Sequence, residues 1–478
     1  MKLKSYFPIV IFLVFALAAK ICMSQELITV SKLQTDFGLF RQALEKAHPG
    51  LYRYTSKENF DYFFESTLQK IDHEMTQQEF YKLLLPVVGQ IKCGHTKLHP
   101  DNNWTSNFYF NVEKVFPWRL HFDGEKAYVL GDYINSDNVP KGAEIVSIHG
   151  KPISEIIHTM LPAFFSDGNN ITFKYIELDH YFSAYYANLF DVPDSFSVVY
   201  KTNTGLKKQN ITSISHTITE EYEKQQEELQ EKILPYSFEM ISNETVLLTI
   251  RSFWEEADDL SYEKFLKNSF ETIREKQVNN LVIDLRNNEG GIDRRGALLM
   301  SYLTDKEFRY YDRLEMTTNK KFSFTKYAHL PKFYEILRHL ISKEKDGTYR
   351  WNHSKNLKIQ KPQKNNFDGK VYVLINGASF SVTAEFAAVA HYLKRATFIG
   401  EEAGGGYYGN NSGAFTIVTL PNSKLNIGIP LMAYYLKVDG YPFPDRGVIP
   451  DYEVKPTIED LLTGNDKIMD YTLKRILK

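Results

Sequence analysis

The chain has 478 residues, 43% of them hydrophobic and 24% charged, with a formal net charge of −2. That length has room for two to four domains with full cores, and the composition is that of a globular chain rather than a disordered one. Near-neutral charge gives no reason to expect nucleic acid or an anionic membrane surface as partner. Cys22 and Cys93 are the only cysteines, which excludes a disulfide scaffold and a cysteine-rich zinc site.

Residues 1–24 read as a targeting segment. Lys2 and Lys4 form a basic start, and Pro8 to Ala19 is an apolar run too short for a comfortable membrane span. Cleavage after Ser24 would leave Gln25 first, with cleavage after Ala18 as the alternative; either predicts an exported protein, periplasmic or extracellular. From 25 to 105 the pattern is helical, with Phe37, Phe40, Leu44, Phe60, Phe64 and Leu68 at three- and four-residue spacing and a break at Pro49-Gly50. From 106 to 219 short strands alternate with turns, among them Ala127–Leu130 and Gly142–Ile148. Residues 220–235 are a charged helix or linker, and a domain boundary is expected there.

From 236 to 478 strands and helices alternate. Strands are expected at Thr245–Ile250, Leu281–Asp284, Lys370–Ile375 and Ala396–Ile399, and helices at Tyr262–Lys276, Arg295–Leu303 and Ser381–Leu393. Strand, turn and helix in repetition predict an α/β core whose functional groups cluster at the carboxyl ends of the strands.

Three segments could carry chemistry. In Val371–Glu385 an apolar strand runs through a Gly turn into an Ala-rich helix, which can set a Ser hydroxyl among the free N–H groups of a helix start. Ser379 and Ser381 could equally be plain helix caps. In Leu281–Gly291, Gly290 and Gly291 follow a strand and allow the close backbone approach that an oxyanion pocket requires, while Asp284 and Arg286 could be a structural ion pair. In Lys92–Leu98, His95 ends a helical region, where a histidine is more often structural than catalytic. No metal motif or nucleotide loop is present, and no cofactor is implied.

Together these segments resemble the C-terminal processing (tail-specific) serine peptidases and their tricorn-like and retinoid-binding relatives. The resemblance rests on Asp284–Gly291, Asn376–Ser381 with Ala384-Glu385, Gly400-Glu401, Asp445–Asp451 and the PDZ-like stretch Gly142–Glu155. It implies a mixed α/β multidomain fold: an N-terminal helical region, a PDZ-like module and a catalytic core of the crotonase or Clp-protease type. It further implies Ser381 as nucleophile, with Ser379 as alternative, and an oxyanion hole from the N–H groups of Val382 and of Gly290 or Gly291.

Gly406 stands where the best-known branch has its lysine, so a Ser–Lys dyad is not expected. The tricorn-like branch takes a His from an N-terminal segment, and His95 in Gly-His-Thr fits that pattern. Asp445 and Glu402 are candidates for the orienting acid, and Gly404–Gly409 is expected to be a mobile loop beside the site. The implied substrate is a polypeptide, captured through its C-terminus or along a sheet edge. The alternative is a family member that has lost catalysis and binds peptides or apolar ligands.

Overall fold

The computed structural model describes residues 26–100, 110, 112–136, 138–230, 233–254 and 261–476. The targeting segment read over residues 1–24 lies outside them. Helices Val30–Ala47, Lys57–Gln69 and Gln77–Gly89 open the described chain. Ser56 caps the second, and a Thr76–Glu79 capping box starts the third. Their apolar stripes meet in a ring cluster in which Phe60 packs on Phe64 and Phe64 on Phe37, at centroid distances of 5.7 and 6.3 Å.

The loop Lys92–Thr96 then leads into the short strand Lys97–His99. That strand pairs antiparallel with Asn426–Leu436, far along the chain, with Lys97 opposite Gly428. This pairing ties the N-terminal segment to the C-terminal half.

The middle of the chain is a six-stranded antiparallel sheet. Its main path runs Trp118–Asp123, Lys126–Asp132, Glu144–Ile148, Ser195–Thr202 and Gly205–Thr212, with Lys151-Pro152 added to the third strand. Helices Ile153–Met160 and Thr172–Leu189 belong to this unit, and Phe182 packs edge-on against Phe116. Its link Ser166–Ile171 reaches the C-terminal half, where Asn170 Nδ2 donates to Ala403 O at 3.1 Å. The charged stretch after it lies in helix His216–Gln230.

The C-terminal half holds a second six-stranded sheet. In spatial order its strands are Tyr236–Met240, Thr245–Ile250, Asn280–Asp284, Lys370–Ile375, Thr397–Gly400 and Tyr452–Glu453; all neighbours are parallel except the first pair. Central parallel strands bury both faces, which is why they read as unbroken apolar runs. Val371, Val373 and Ile375 join the main core, whereas Tyr372 and Leu374 pack with Ile468 of the terminal helix Lys467–Ile476.

A third sheet of seven strands, built on the long hairpin Asn411–Thr419 and Asn426–Leu436, carries the His95 segment beside this core. Periodicity alone does not mark that hairpin. Its second strand is buried along most of its length and lacks the alternation of a half-exposed strand.

Candidate active site

Strand Lys370–Ile375 ends at Asn376, and the chain turns sharply to helix Val382–Tyr392 with Ser381 at the N-cap position. Ser381 has φ 52° and ψ −123°, a conformation that costs a non-glycine residue on the order of 1–3 kcal/mol. The surroundings hold it there. Ser379 N–H donates to Asn376 O at 2.9 Å, Phe380 N–H to Asn288 O at 3.2 Å, and Gly404 N–H to Ser379 O at 3.0 Å. Ser379 is fully buried, with its hydroxyl donating to Leu285 O at 2.9 Å and accepting from Asn376 N–H at 3.1 Å. That side chain is committed to the turn, and Ser381 alone of the two serines faces an imidazole.

His95 Nε2 lies 3.2 Å from Ser381 Oγ, although 286 positions separate the two in the chain. The ring stacks on Phe380, with centroids 4.7 Å apart. Burial, with Lys97 adding to it, pushes the His95 pKa down to about 3. The imidazole is therefore neutral at pH 7, which leaves the Nε2 lone pair open to the Ser381 hydroxyl, while its burial makes it a weaker base than a solvated ring. Nδ1 is buried and has no partner among the described residues.

Neither acid suggested by the sequence meets it. Asp445 is paired with Asn169, whose Nδ2 donates to its carboxylate and whose N–H donates to its backbone O at 2.7 Å. Glu402 accepts from Arg446 Nε and from Gly447 N–H, both at 2.9 Å. These carboxylates fasten the closing segment to the core, and neither is hydrogen-bonded to the His95 ring, whose Nδ1 has no partner among the described residues.

The acid beside His95 is Asp167, which the sequence reading did not single out. It is buried, and its carboxylate accepts from Gly94 N–H at 2.9 Å and from Gly406 N–H at 3.3 Å. Burial raises its pKa to about 6. Asp167 thus clamps the His95 loop to the Gly-rich segment, and the residue at the position of the missing lysine donates its N–H to that clamp. Gly404–Gly409 is accordingly tied down and mostly buried rather than loose. No local motif marks Asp167, because its partners lie 73 and 239 positions away.

The glycine turn abuts the serine. A Cβ on Gly290, whose φ is 104°, would stand 2.8 Å from both Ser381 Cβ and Val382 N. Gly290 N–H itself is taken by Asn288 Oδ1 at 2.9 Å, so this candidate donor is already spent within its own turn. Among the described residues, the turn and loop hydrogen bonds use neither Gly291 N–H nor Val382 N–H. Arg286 clasps Asp284 and Asp466, with Nε 2.9 Å from Asp284 Oδ1 and Nη1 2.7 Å from Asp466 Oδ1. It pins the terminal helix to the end of a strand. Behind the serine, Glu385 is buried, accepting from Tyr311 Oη at 2.7 Å and Asn410 Nδ2 at 2.9 Å.

Residues 244–454 match the model of peptidase family S41. This segment is an S41 peptidase domain. The chain is a serine peptidase. No curated protein matches it by sequence. Among solved structures, mature CPAF superposes with a TM-score of 0.63 at 14% identity, over 94% of this chain and 96% of that one. CPAF complexed with lactacystin superposes equally, with a TM-score of 0.63 at 15% identity over 94% and 97%. At such identities the likeness speaks for the fold, which therefore extends beyond the S41 domain to nearly the whole chain.

Proposed function

We propose that this S41 peptidase hydrolyses polypeptides through Ser381, with His95 as general base and the N–H groups of Gly291 and Val382 as oxyanion donors. The observation that carries the proposal is the 3.2 Å approach of His95 Nε2 to Ser381 Oγ. An unassisted hydroxyl is a poor nucleophile at neutral pH, and a neutral imidazole within hydrogen-bond reach relieves that.

In the first half-reaction His95 takes the Ser381 proton while Oγ attacks the scissile carbonyl. The two N–H groups, at the start of a helix and in a glycine turn, stabilise the developing oxyanion. The imidazolium then returns its proton to the leaving amine. Water enters by the same route in reverse and frees the acyl group. The antiparallel middle unit, read as PDZ-like, would hold an extended substrate segment against a sheet edge. Export is proposed on Lys2, Lys4 and the apolar run that follows them; sequencing the N-terminus of the protein from its native host tests it, and a chain that still begins at Met1 overturns it.

The catalytic test compares wild type with Ser381→Ala on an unfolded protein substrate. Removing a nucleophile lowers turnover by a factor on the order of 10⁶, so the variant should be silent. Equal cleavage by both proteins would remove Ser381 from the mechanism. A serine-directed fluorophosphonate separates the enzyme from a chain that only binds peptides, since a pure binder does not label.

A further inference from the structure

We propose that Cys93, His95 and Asp167 form a binding site for one thiophilic divalent cation, zinc in the first instance, and that its occupancy shuts the peptidase off. Cys93 Sγ, a ring nitrogen of His95 and a carboxylate oxygen of Asp167 all lie within 4.8 Å of one another. Thiolate, imidazole and carboxylate together are a donor set that zinc favours.

Each member has coordinating capacity to spare. The Cys93 thiol is buried, and its contact with Asn411 O is a long one of 3.8 Å. Asp167 accepts one backbone N–H on each oxygen, which leaves a lone pair on each. His95 Nδ1 is buried without a partner among the described residues, a condition that costs free energy and calls for a physical reason. Acyl transfer as described gives Cys93 no task. Zinc–ligand bonds of about 2.0–2.3 Å put tetrahedral donors roughly 3.5 Å apart, so the three groups need to close by about 1 Å.

Coordination removes the base whichever nitrogen binds. A metal on Nε2 consumes the lone pair that would take the Ser381 proton. A metal on Nδ1 requires the ring proton to sit on Nε2, which can then only donate to Ser381 Oγ. The Cys93 thiol loses its proton to solvent as the metal–sulfur bond forms. The sequence hides the site because Cys93 and His95 form a short Cys-x-His pair and Asp167 arrives from another unit. The shut-off rests on His95 being the base; the binding does not.

The test uses the full chain, stripped of metal by a chelator. Competition with a chromophoric chelator should give one zinc per chain. Cobalt(II) in its place should give a thiolate-to-metal absorption band in the near ultraviolet that Cys93→Ser abolishes. Cys93→Ser and Asp167→Asn should each weaken zinc binding by about tenfold or more. Hydrolysis by wild type should fall with the binding midpoint and return on chelation, and in Cys93→Ser the inhibitory midpoint should rise in parallel with the binding constant.

Zinc affinity unchanged in both variants, or cobalt bound with no thiolate band, overturns the site. Metal bound with that band while hydrolysis continues unchanged overturns the shut-off. A chain that binds one metal as described yet hydrolyses nothing when stripped upholds the site and fails the peptidase mechanism instead.

Discussion

Phe380 lies face to face with His95, with ring centroids 4.7 Å and planes 29° apart, and it also stacks on Phe173 at 4.6 Å and 9°. The residue before the nucleophile therefore sets the orientation of the imidazole opposite it. Leucine nearly fills the same volume but offers no flat face. Phe380→Leu is expected to lower kcat by about tenfold with little change in KM, since a misaimed base affects the transition state more than binding. Steady-state kinetics check this; an unchanged kcat would mean that the backbone alone holds His95.

The depressed pKa of His95 makes a second prediction. A base with a pKa near the ordinary 6.5 would give a rate that falls as pH drops through that value. With His95 at about 3, the ring stays neutral from pH 8 down to 5, and its own titration gives kcat/KM no fall in that range. A titration near 6.5 that persists in both Asp167→Asn and Glu385→Gln, whose carboxyls titrate in the same range, would show the imidazole to be solvated during turnover. The same shift bears on stability: its contribution is complete above pH 6.5, the unfolded value, and is lost as pH falls towards 3.

Much of the catalytic half was legible in the sequence because its physics is local. The apolar runs 281–284 and 370–375 match buried parallel strands, and the glycine turns after them match the sharp bends observed. The Ser379–Ser381 choice came from the family resemblance, because the local pattern alone fits either serine as a helix cap. It depends on which hydroxyl the turn consumes, and Leu285 O, which accepts from Ser379, lies 94 positions away. Asp445 and Glu402 looked available because nothing nearby in sequence announces their partners Asn169 and Arg446. The pairing of Lys97–His99 with strand Asn426–Leu436, which brings His95 to the site, spans more than 300 residues, and no window of periodicity can report it.

Glu385 makes a third prediction, opposite in sign to that of His95. Burial raises its pKa from 4.5 to about 7, so the folded state favours the protonated acid. The stability this contributes is complete below pH 4.5 and is lost as pH rises through 7, a change on the order of 3 kcal/mol. Glu385→Gln keeps an oxygen for Asn410 and removes the titration. Melting temperatures of wild type and variant, compared from pH 4.5 to 8, should diverge in favour of the variant as pH rises. Parallel curves would show that Glu385 does not titrate in this range.

Gly94 and Gly290 make the last prediction, since each permits an approach that a single methyl group would block. A Cβ on Gly94 would stand 2.6 Å from the Phe380 ring, and one on Gly290 would stand 2.8 Å from Ser381 Cβ and from Val382 N. The two obstructions differ in kind. At Gly94 the obstacle is a side chain held between His95 and Phe173, so Gly94→Ala should displace the imidazole while the fold persists. At Gly290 the obstacle includes backbone, and φ 104° is strained for alanine, so Gly290→Ala should separate the glycine turn from the serine and cost stability as well. Hydrolysis should fall at least 100-fold in both variants. Fluorophosphonate labelling of Ser381 should slow in both, since misplacing the base and misplacing the oxyanion donors each impede it; the melting temperature separates them, falling by several degrees only in Gly290→Ala. Full activity in Gly94→Ala would mean that the stack yields readily, and the Phe380→Leu prediction would fall with it.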